Sequence, residues 1–252
     1  MRLTVIGCSG SYPGPGSSAS CYLLEQEHEG RLWRVLLDMG SGALGALQKF
    51  SDATSIDGVF LSHLHADHCL DLCGYYVMRR YYPGGALPRI PVWGPAGTAR
   101  RMAKAYDLDE DPGMSAEFDF LTYPDEPVEF GPFTVTVRRV AHPVTAYALR
   151  IEAGGSTLAY SGDTGACDAL VETARDADLF LCEASFREGG DNPPDLHLTG
   201  AEAGRAAKTA NAARLLLTHV PPWYDSSAIH AEATGEYDGE VQLAAPGACH
   251  DI

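Results

Sequence analysis

The chain has 252 residues, 45% of them hydrophobic, so it is long enough to bury a sizeable core. Its 34 acidic and 18 basic residues give a formal net charge of −16, which opposes the binding of long polyanions because such binding needs several Lys or Arg contacts to phosphate. No apolar run reaches the ~20 residues of a membrane span, and the seven scattered cysteines include no C-x-x-C pair. We therefore expect a cytoplasmic protein with reduced thiols, folded as a single domain over residues 1–252.

The first strands each lead into a loop that could approach a site. A strand from Met1 enters residues 7–18, which are rich in Gly, Ser and Pro, and a second strand follows at residues 21–24. This loop lacks the G-x-G-x-x-G order and precedes a strand instead of a helix, which argues against a dinucleotide site. A further strand over residues 33–38 ends at Asp38, which could orient a neighbouring histidine or cap the turn before a helix over residues 43–50.

The next strand ends in the densest group of metal-competent residues in the chain. After Val59-Phe60-Leu61 comes the sequence SHLHADH at residues 62–68. In an extended segment, alternation would put His63 and His65 on one side. A turn through Ala66 would let Asp67 and His68 face a second point nearby. This spacing predicts two adjacent metal ions.

The rest of the chain alternates strands and helices in a mixed α/β pattern. A helix over residues 70–82 carries an aromatic and basic patch that is suited to packing or to an oligomer contact; its members are Tyr75, Tyr76, Arg79, Arg80, Tyr81 and Tyr82. Three later predicted strands again lead to a metal-competent residue: His142, Asp163 and His219. Together with the cluster at residues 62–68, these strand ends predict a two-metal site.

This constellation resembles the metallo-β-lactamase superfamily over nearly the whole chain. The resemblance implies an αββα sandwich, in which two mixed β-sheets pack together with helices on both outer faces. It also implies one ion held by His63, His65 and His142, a second held by Asp67, His68 and His219, and Asp163 as the bridge between them. These ligand types suit two Zn²⁺ ions, and they also accept Mn²⁺ or iron. The true lactamase branch departs from this set at the second metal, so antibiotic hydrolysis is disfavoured.

The C-terminal part is similar to the phosphodiesterase branch that includes ribonuclease Z. The similarity is carried by HLTGAEA at residues 197–203, by LLTH at residues 216–219 and by LCEA at residues 181–184. By this resemblance, Asp67 orients the attacking water. His197 contacts the phosphate and protonates the leaving oxygen, with helix capping as the alternative role for His197 and for its neighbour Thr199.

The short interval between His142 and Asp163 limits the class of substrate. Ribonuclease Z proteins commonly carry a basic arm for transfer RNA in this interval, whereas here it holds only two strands and a turn. The segments at residues 3–11, 62–72 and 218–223 resemble an actinobacterial group of cyclic-nucleotide phosphodiesterases, which makes cAMP the first expectation. Trp223 or Trp93 could stack on the base, although a buried or interfacial position is the commoner fate of a tryptophan.

The alternatives are ribonuclease Z-like cleavage of RNA, a carbon-centred hydrolase such as a lactonase or thioesterase, and a domain that only binds a nucleotide. The family-level expectation is a homodimer, with the tyrosine-rich helix as the candidate contact.

Overall fold

The computed structural model describes residues 1–252, whose strands form two mixed sheets. The first sheet contains, in spatial order, β15 (Cys249–Asp251), β1 (Arg2–Ser9), β3 (Cys21–His28), β4 (Arg31–Leu37), β5 (Gly58–Phe60), β6 (Ile90–Gly94) and β7 (Phe118–Thr122), with β2 (Ser18–Ala19) beside β1. The second contains β14 (Glu240–Leu243), β13 (Arg214–Thr218), β12 (Leu179–Glu183), β11 (Ser156–Tyr160), β10 (Tyr147–Ala153), β9 (Phe133–Arg139) and β8 (Val128–Phe130).

The helices cover the outer faces of these sheets. They are α1 (Ala43–Leu47), α2 (Ala66–Cys69), α3 (Leu72–Arg80), α4 (Thr98–Ala105), α5 (Asp168–Ala174), α6 (Gly200–Ala210) and α7 (Ser226–Glu236). Apolar residues of α1, α3 and α4 pack on the first sheet, and those of α5, α6 and α7 pack on the second. None of the helices is long and apolar enough to cross a membrane.

Side chains along each strand alternate between two faces of the sheet, and both faces are buried. This explains why the strands appear in the sequence as continuous apolar runs. In β4, Val35 and Leu37 face the layer between the sheets while Leu36 faces the helices. In β12, Leu181 faces the layer between the sheets while Phe180 faces the opposite helices. This produces three apolar layers and the predicted αββα sandwich.

Parallel strands bring several chain turns to one edge of the sandwich. Strands β4 to β7 run parallel in the first sheet, as do β11 to β14 in the second. The carboxyl ends of parallel strands lie at the same edge, which is where ligands bind in α/β sheets. The predicted metal-competent residues follow strands of these two parallel sets, except for His142, which follows β9. Strand β9 runs in the same direction as β11, because both are antiparallel to β10.

One possibility considered from the sequence needs correction. Trp93 is only 7% exposed and stacks face to face on Phe60, with ring centroids 4.6 Å apart, so it cannot hold a base. The patch on the tyrosine-rich helix serves packing, one of its two predicted roles, through part of its residues. Tyr75 and Arg79 are buried and hydrogen-bonded to each other, because the helix uses that face to pack on the first sheet. Only Tyr81 and Tyr82 remain exposed aromatic residues there.

The predicted helix boundaries were broader than the observed ones at α1 and α3, and the strands β2, β7, β8 and β15 were not predicted. All seven cysteines are free, as expected.

Candidate metal centre

The predicted donors lie close together at the edge where the two sheets meet. The segment after β5 supplies His63, His65, Asp67 and His68, the last two from the short helix α2. The second sheet supplies the other three, after β9, β11 and β13: His142, Asp163 and His219. These side chains form two groups of donors within 4.8 Å, and Asp163 belongs to both.

The first group has three imidazole nitrogens facing one point. Nδ1 of His65 lies 3.1 Å from Nε2 of His63 and 3.3 Å from Nε2 of His142. Oδ2 of Asp163 lies 3.6 Å from the same nitrogen of His63. Around a tetrahedral Zn²⁺ with bonds of about 2.0–2.1 Å, adjacent donors would be roughly 3.3 Å apart. The group therefore has the dimensions of a tetrahedral metal site.

The second group is built in the same way around Nε2 of His68. This atom lies 3.2 Å from Nε2 of His219, 3.6 Å from Oδ2 of Asp67 and 3.1 Å from Oδ1 of Asp163. Oδ1 of Asp163 is buried without a hydrogen-bond partner. A buried carboxylate oxygen normally requires a partner, and a cation between these donors would satisfy it.

The outward nitrogens of the second group's imidazoles are fixed by hydrogen bonds. Nδ1 of His68 donates to Oδ2 of Asp38 at 2.7 Å, and Nδ1 of His219 donates to Oγ of Ser185 at 2.7 Å. Such outer contacts select the tautomer whose other nitrogen is free to bind metal. Of the two roles considered for Asp38, the structure supports orientation of a histidine.

Two imidazoles of the first group are fixed similarly. Nδ1 of His142 donates to the carbonyl of Leu196 at 3.0 Å, and Nδ1 of His63 donates to Oγ of Ser62 at 3.1 Å. His65 differs, because its Nδ1 faces the group.

The protonation preferences of the first group suit a metal. Burial lowers the pKa of His63 well below its usual value, and it also lowers the pKa of His65 and of His142. These side chains are therefore neutral at physiological pH, which is the form that binds a cation. Burial alone would raise the pKa of Asp163, but the imidazoles of His219 and His68 hold that pKa well below its usual range, so its carboxylate is ionised.

His197 lies beside the two groups and is held by a buried carboxylate. Nδ1 of His197 donates to Oε1 of Glu183 at 2.9 Å and lies 4.0 Å from Oδ2 of Asp163. Burial alone would lower the pKa of His197, but attraction to Glu183 outweighs it and raises the pKa to about 9. Thr199 caps α6 through a capping box with Glu202, which places His197 just before the helix.

Sequence reasoning missed the supporting residues of this centre. Glu183 lies in the LCEA segment that carries part of the resemblance, but its contact with His197 was not predicted. Ser185 and Tyr160, whose hydroxyl donates to Asp38 at 2.6 Å, gave no signal because a Ser or Tyr near a strand end is common. Only the fold shows which of these residues reach the histidines.

An αββα sandwich with two donor groups that share one carboxylate defines a metal-dependent hydrolase. Residues 33–220 match the family model of the beta-lactamase superfamily domain, and the chain belongs to that superfamily.

Relatives are similar along most of their length. An uncharacterized protein of Mycobacterium leprae is 48% identical over 100% of this chain and 89% of its own length. The probable metallo-hydrolase YhfI of Bacillus subtilis is 33% identical over 98% of each chain. The crystal structure of that metallo-beta-lactamase fold protein has a TM-score of 0.86 at 31% identity, covering 99% of this chain and 98% of the other. Ribonuclease Z of Myxococcus xanthus is 28% identical over 98% of this chain and 96% of its own. The protein is thus a metallo-hydrolase related to ribonuclease Z.

Proposed function

We propose that this protein is a dinuclear metal-dependent phosphodiesterase that hydrolyses a small phosphodiester, with 3′,5′-cyclic nucleotides, and cAMP first among them, as its substrates. The observation that carries this proposal is the position of His197, held by Glu183 beside the carboxylate shared by the two donor groups. Phosphodiester hydrolysis produces charge on the phosphoryl oxygens and an alkoxide that needs a proton, and a protonated imidazole serves both needs.

In this proposal the donor groups are metal ligands. His63, His65 and His142 would hold one Zn²⁺, and Asp67, His68 and His219 would hold the other. Asp163, which belongs to both groups, would supply a carboxylate donor to each. The donor separations in both groups, the neutral imidazoles of the first group and the orphaned oxygen of Asp163 support the assignment. When bound, two ions lower the pKa of a water and stabilise charge on the reacting phosphoryl group. Mn²⁺ or iron fits the same donor types.

The residues of the chain supply orientation and proton transfer. Oδ2 of Asp67 lies 3.1 Å from Nε2 of His219, which leaves Oδ1 of Asp67 to accept a hydrogen bond from the attacking water. Nδ1 of His197 is occupied by Glu183, so the proton on its other nitrogen is the one that reaches the phosphoryl or leaving oxygen. Glu183 acts through His197 by fixing its ring and favouring its charged form.

A small substrate is favoured over a long polynucleotide. The net charge of −16 opposes a polyphosphate backbone. Between His142 and Asp163 the chain forms the hairpin β10–β11, joined by Gly154 and Gly155, and this hairpin leaves no length for a protruding basic arm. The second candidate is ribonuclease Z-like cleavage of RNA, which the similarity to the Myxococcus xanthus enzyme supports.

The test compares four substrates with and without a chelator: cAMP, bis(p-nitrophenyl) phosphate, precursor transfer RNA and an acyl-homoserine lactone. We expect the highest kcat/KM for cAMP, and its loss on chelation and in His65→Ala. The control is His28→Ala, which alters an exposed histidine at the end of β3 and should leave the rate unchanged.

Other outcomes point to the alternatives. Phosphodiesterase activity that survives both chelation and His65→Ala would refute the metal mechanism. Faster cleavage of transfer RNA or lactone would select the corresponding alternative. Binding of cAMP without any turnover at full metal occupancy would select the binding domain.

We further propose a homodimer, whose contact includes the exposed Tyr81 and Tyr82. Light scattering on the wild type should give twice the chain mass of 26.9 kDa, and Tyr81→Ala should weaken the association. A monomeric wild type would refute this proposal.

A further inference from the structure

The Gly-rich loop after β1 is locked onto the segment that follows His219. Ser9 forms a parallel bridge with Val220, and the N–H of Gly10 donates to the Val220 carbonyl at 3.2 Å. A Cβ at Gly10 would lie 2.1 Å from the carbonyl oxygen of His219, so only glycine permits this approach. The loop is therefore a fixed part of the wall of the metal centre.

The next residue directs a backbone donor at the centre. Ser11 has a φ of 64°, in the left-handed region, and its N–H points at Nε2 of His219 at a distance of 3.3 Å. Under the proposed function, this nitrogen would bind a metal ion and could not accept a hydrogen bond. The Ser11 N–H then needs another acceptor close by, and a phosphoryl oxygen of a bound substrate provides one.

An exposed aromatic pair stands beside this donor. Tyr12 is 44% exposed and Trp223 is 57% exposed, and their ring centroids are 5.3 Å apart with an interplanar angle of 33°. Both rings are carried by ordered backbone. Oγ of Ser9 donates to the Tyr12 carbonyl at 2.7 Å, and the N–H of Tyr224 donates to the Pro221 carbonyl at 3.0 Å, closing a turn around Trp223.

The pair is within reach of a molecule bound at the centre. Tyr12 directly follows Ser11, and Trp223 is four positions from His219, which limits their Cα separation to about 14 Å. Tryptophan is usually well buried, so an exposed one packed against a second exposed aromatic ring marks a contact surface.

We propose that Tyr12 and Trp223 form a stacking platform for the base of the cyclic nucleotide, while the N–H of Ser11 binds a phosphoryl oxygen of the same molecule. This inference rests on the proposed phosphodiesterase function and names its specificity-determining residues. The two rings are already in contact with each other, so the base stacks on the outer face of the pair and does not insert between them.

The chemistry of the surrounding segments favours a single base as the occupant. Residues 7–18 and 219–226 contain no Lys or Arg, so the platform offers a π-face without the positive charge that a polynucleotide backbone requires. Stacking on an aromatic side chain accepts any base. The platform therefore predicts a strong requirement for a base and weak selection among bases.

The kinetic test compares cAMP with 1-O-methylribose 3′,5′-cyclic phosphate, which has the same ester ring but no base. Trp223→Ala and Tyr12→Ala should each lower kcat/KM for cAMP by about 5- to 100-fold and change the rate with the abasic ester by less than about twofold, as expected when the lost contact involves only the base. Trp223→Phe should restore most of the activity toward cAMP. Tyr106→Ala, which alters an exposed tyrosine on α4's C-terminal end, is the matched control.

A binding test separates this inference from the proposed function. AMP should quench the tryptophan fluorescence of the metal-loaded wild type, ribose 5-phosphate should not, and Trp223→Phe should abolish the quenching. Equal effects of Trp223→Ala on both cyclic esters, or no effect on either, would overturn the platform. The platform would also be overturned if that variant changed only the oligomeric mass.

If the wild type hydrolyses neither ester but cleaves another substrate, the proposed function fails. The quenching by AMP then decides the platform by itself. Quenching that requires Trp223 supports it, and absence of quenching refutes it.

Discussion

Replacement of Asp38 by asparagine tests how the second donor group is held in position. Asp38 is fully buried directly after β4, and its φ of 58° is one that asparagine also adopts readily. Oδ2 accepts from Nδ1 of His68 at 2.7 Å, from Oγ of Ser62 at 2.7 Å and from the hydroxyl of Tyr160 at 2.6 Å, while Oδ1 accepts from the N–H of Ser62 at 2.7 Å. The Asp38→Asn change therefore preserves the backbone and removes the charge.

The expected magnitude follows from these contacts. An amide has one oxygen and one NH₂ group, so at least one of the four donors faces another donor. A hydrogen bond to a charged group contributes about 1.5–3 kcal/mol, and loss of an outer contact to a metal-binding histidine typically costs about 10- to 100-fold in metal affinity. We expect this loss at the group that contains His68, and a smaller change at the group that contains His65.

The assay is competition with a chromophoric chelator, which resolves two binding steps in the wild type. In Asp38→Asn, one step should weaken about 10- to 100-fold while the other remains near its original affinity. Tyr160→Phe removes one of the three donors to Oδ2 and should give a smaller shift of the same step. Two unchanged steps, or equal weakening of both, would refute the role assigned to Asp38.

Three further changes address the loop and His197. Gly10→Ala should weaken metal binding and lower the free energy of unfolding by about 1–3 kcal/mol, because the added Cβ would meet the carbonyl of His219. Urea titration measures this change. Gly16→Ala is the control and should be neutral, since a Cβ at Gly16 would have no atom within 4 Å. Glu183→Gln should lower kcat by about 10- to 100-fold with little change in KM, since it weakens the charged form of His197; an unchanged kcat would contradict this. In the chelated protein, the Glu183–His197 pair should contribute roughly 3 kcal/mol to the free energy of unfolding, because the pKa of His197 is raised to about 9 in the folded state. This contribution should be complete below pH ~6.5 and should be lost as the pH rises through about 9. Urea titrations at pH 6 and 9.5 measure the free energy of unfolding. Its decrease between the two pH values should be smaller in His197→Gln than in the wild type. An equal decrease in both proteins would contradict the predicted contribution of this pair.

Much of the fold and of the donor geometry was predictable because it follows from local pattern. Apolar runs that end in His or Asp identified the strands and the edge at which they meet. The spacing of His63, His65 and His68 requires no long-range information to suggest two facing groups. The similarity to a superfamily then supplied the sandwich, which the strand order confirms.

The remaining features depend on tertiary packing that the sequence does not encode locally. Arg79 looks like a surface residue, yet it is buried because it donates to the hydroxyl of Tyr75 and to the carbonyl of Pro88. Trp93 is chemically as suitable for stacking as Trp223, and only their exposures of 7% and 57% distinguish them. Strand β15 has only three residues and exists because β1 offers it an edge.

The contact between the two sheets determines when the donor groups can form. Asp67 and His219 are in contact although they are 152 positions apart, and the chain returns at its end to pair β15 with β1. Contacts between residues so far apart in sequence require closure of a long loop, so they stabilise the chain only after the two sheets have docked. Neither sheet carries a complete set of donors for either group. A chain whose sheets have not met therefore holds neither complete group of donors.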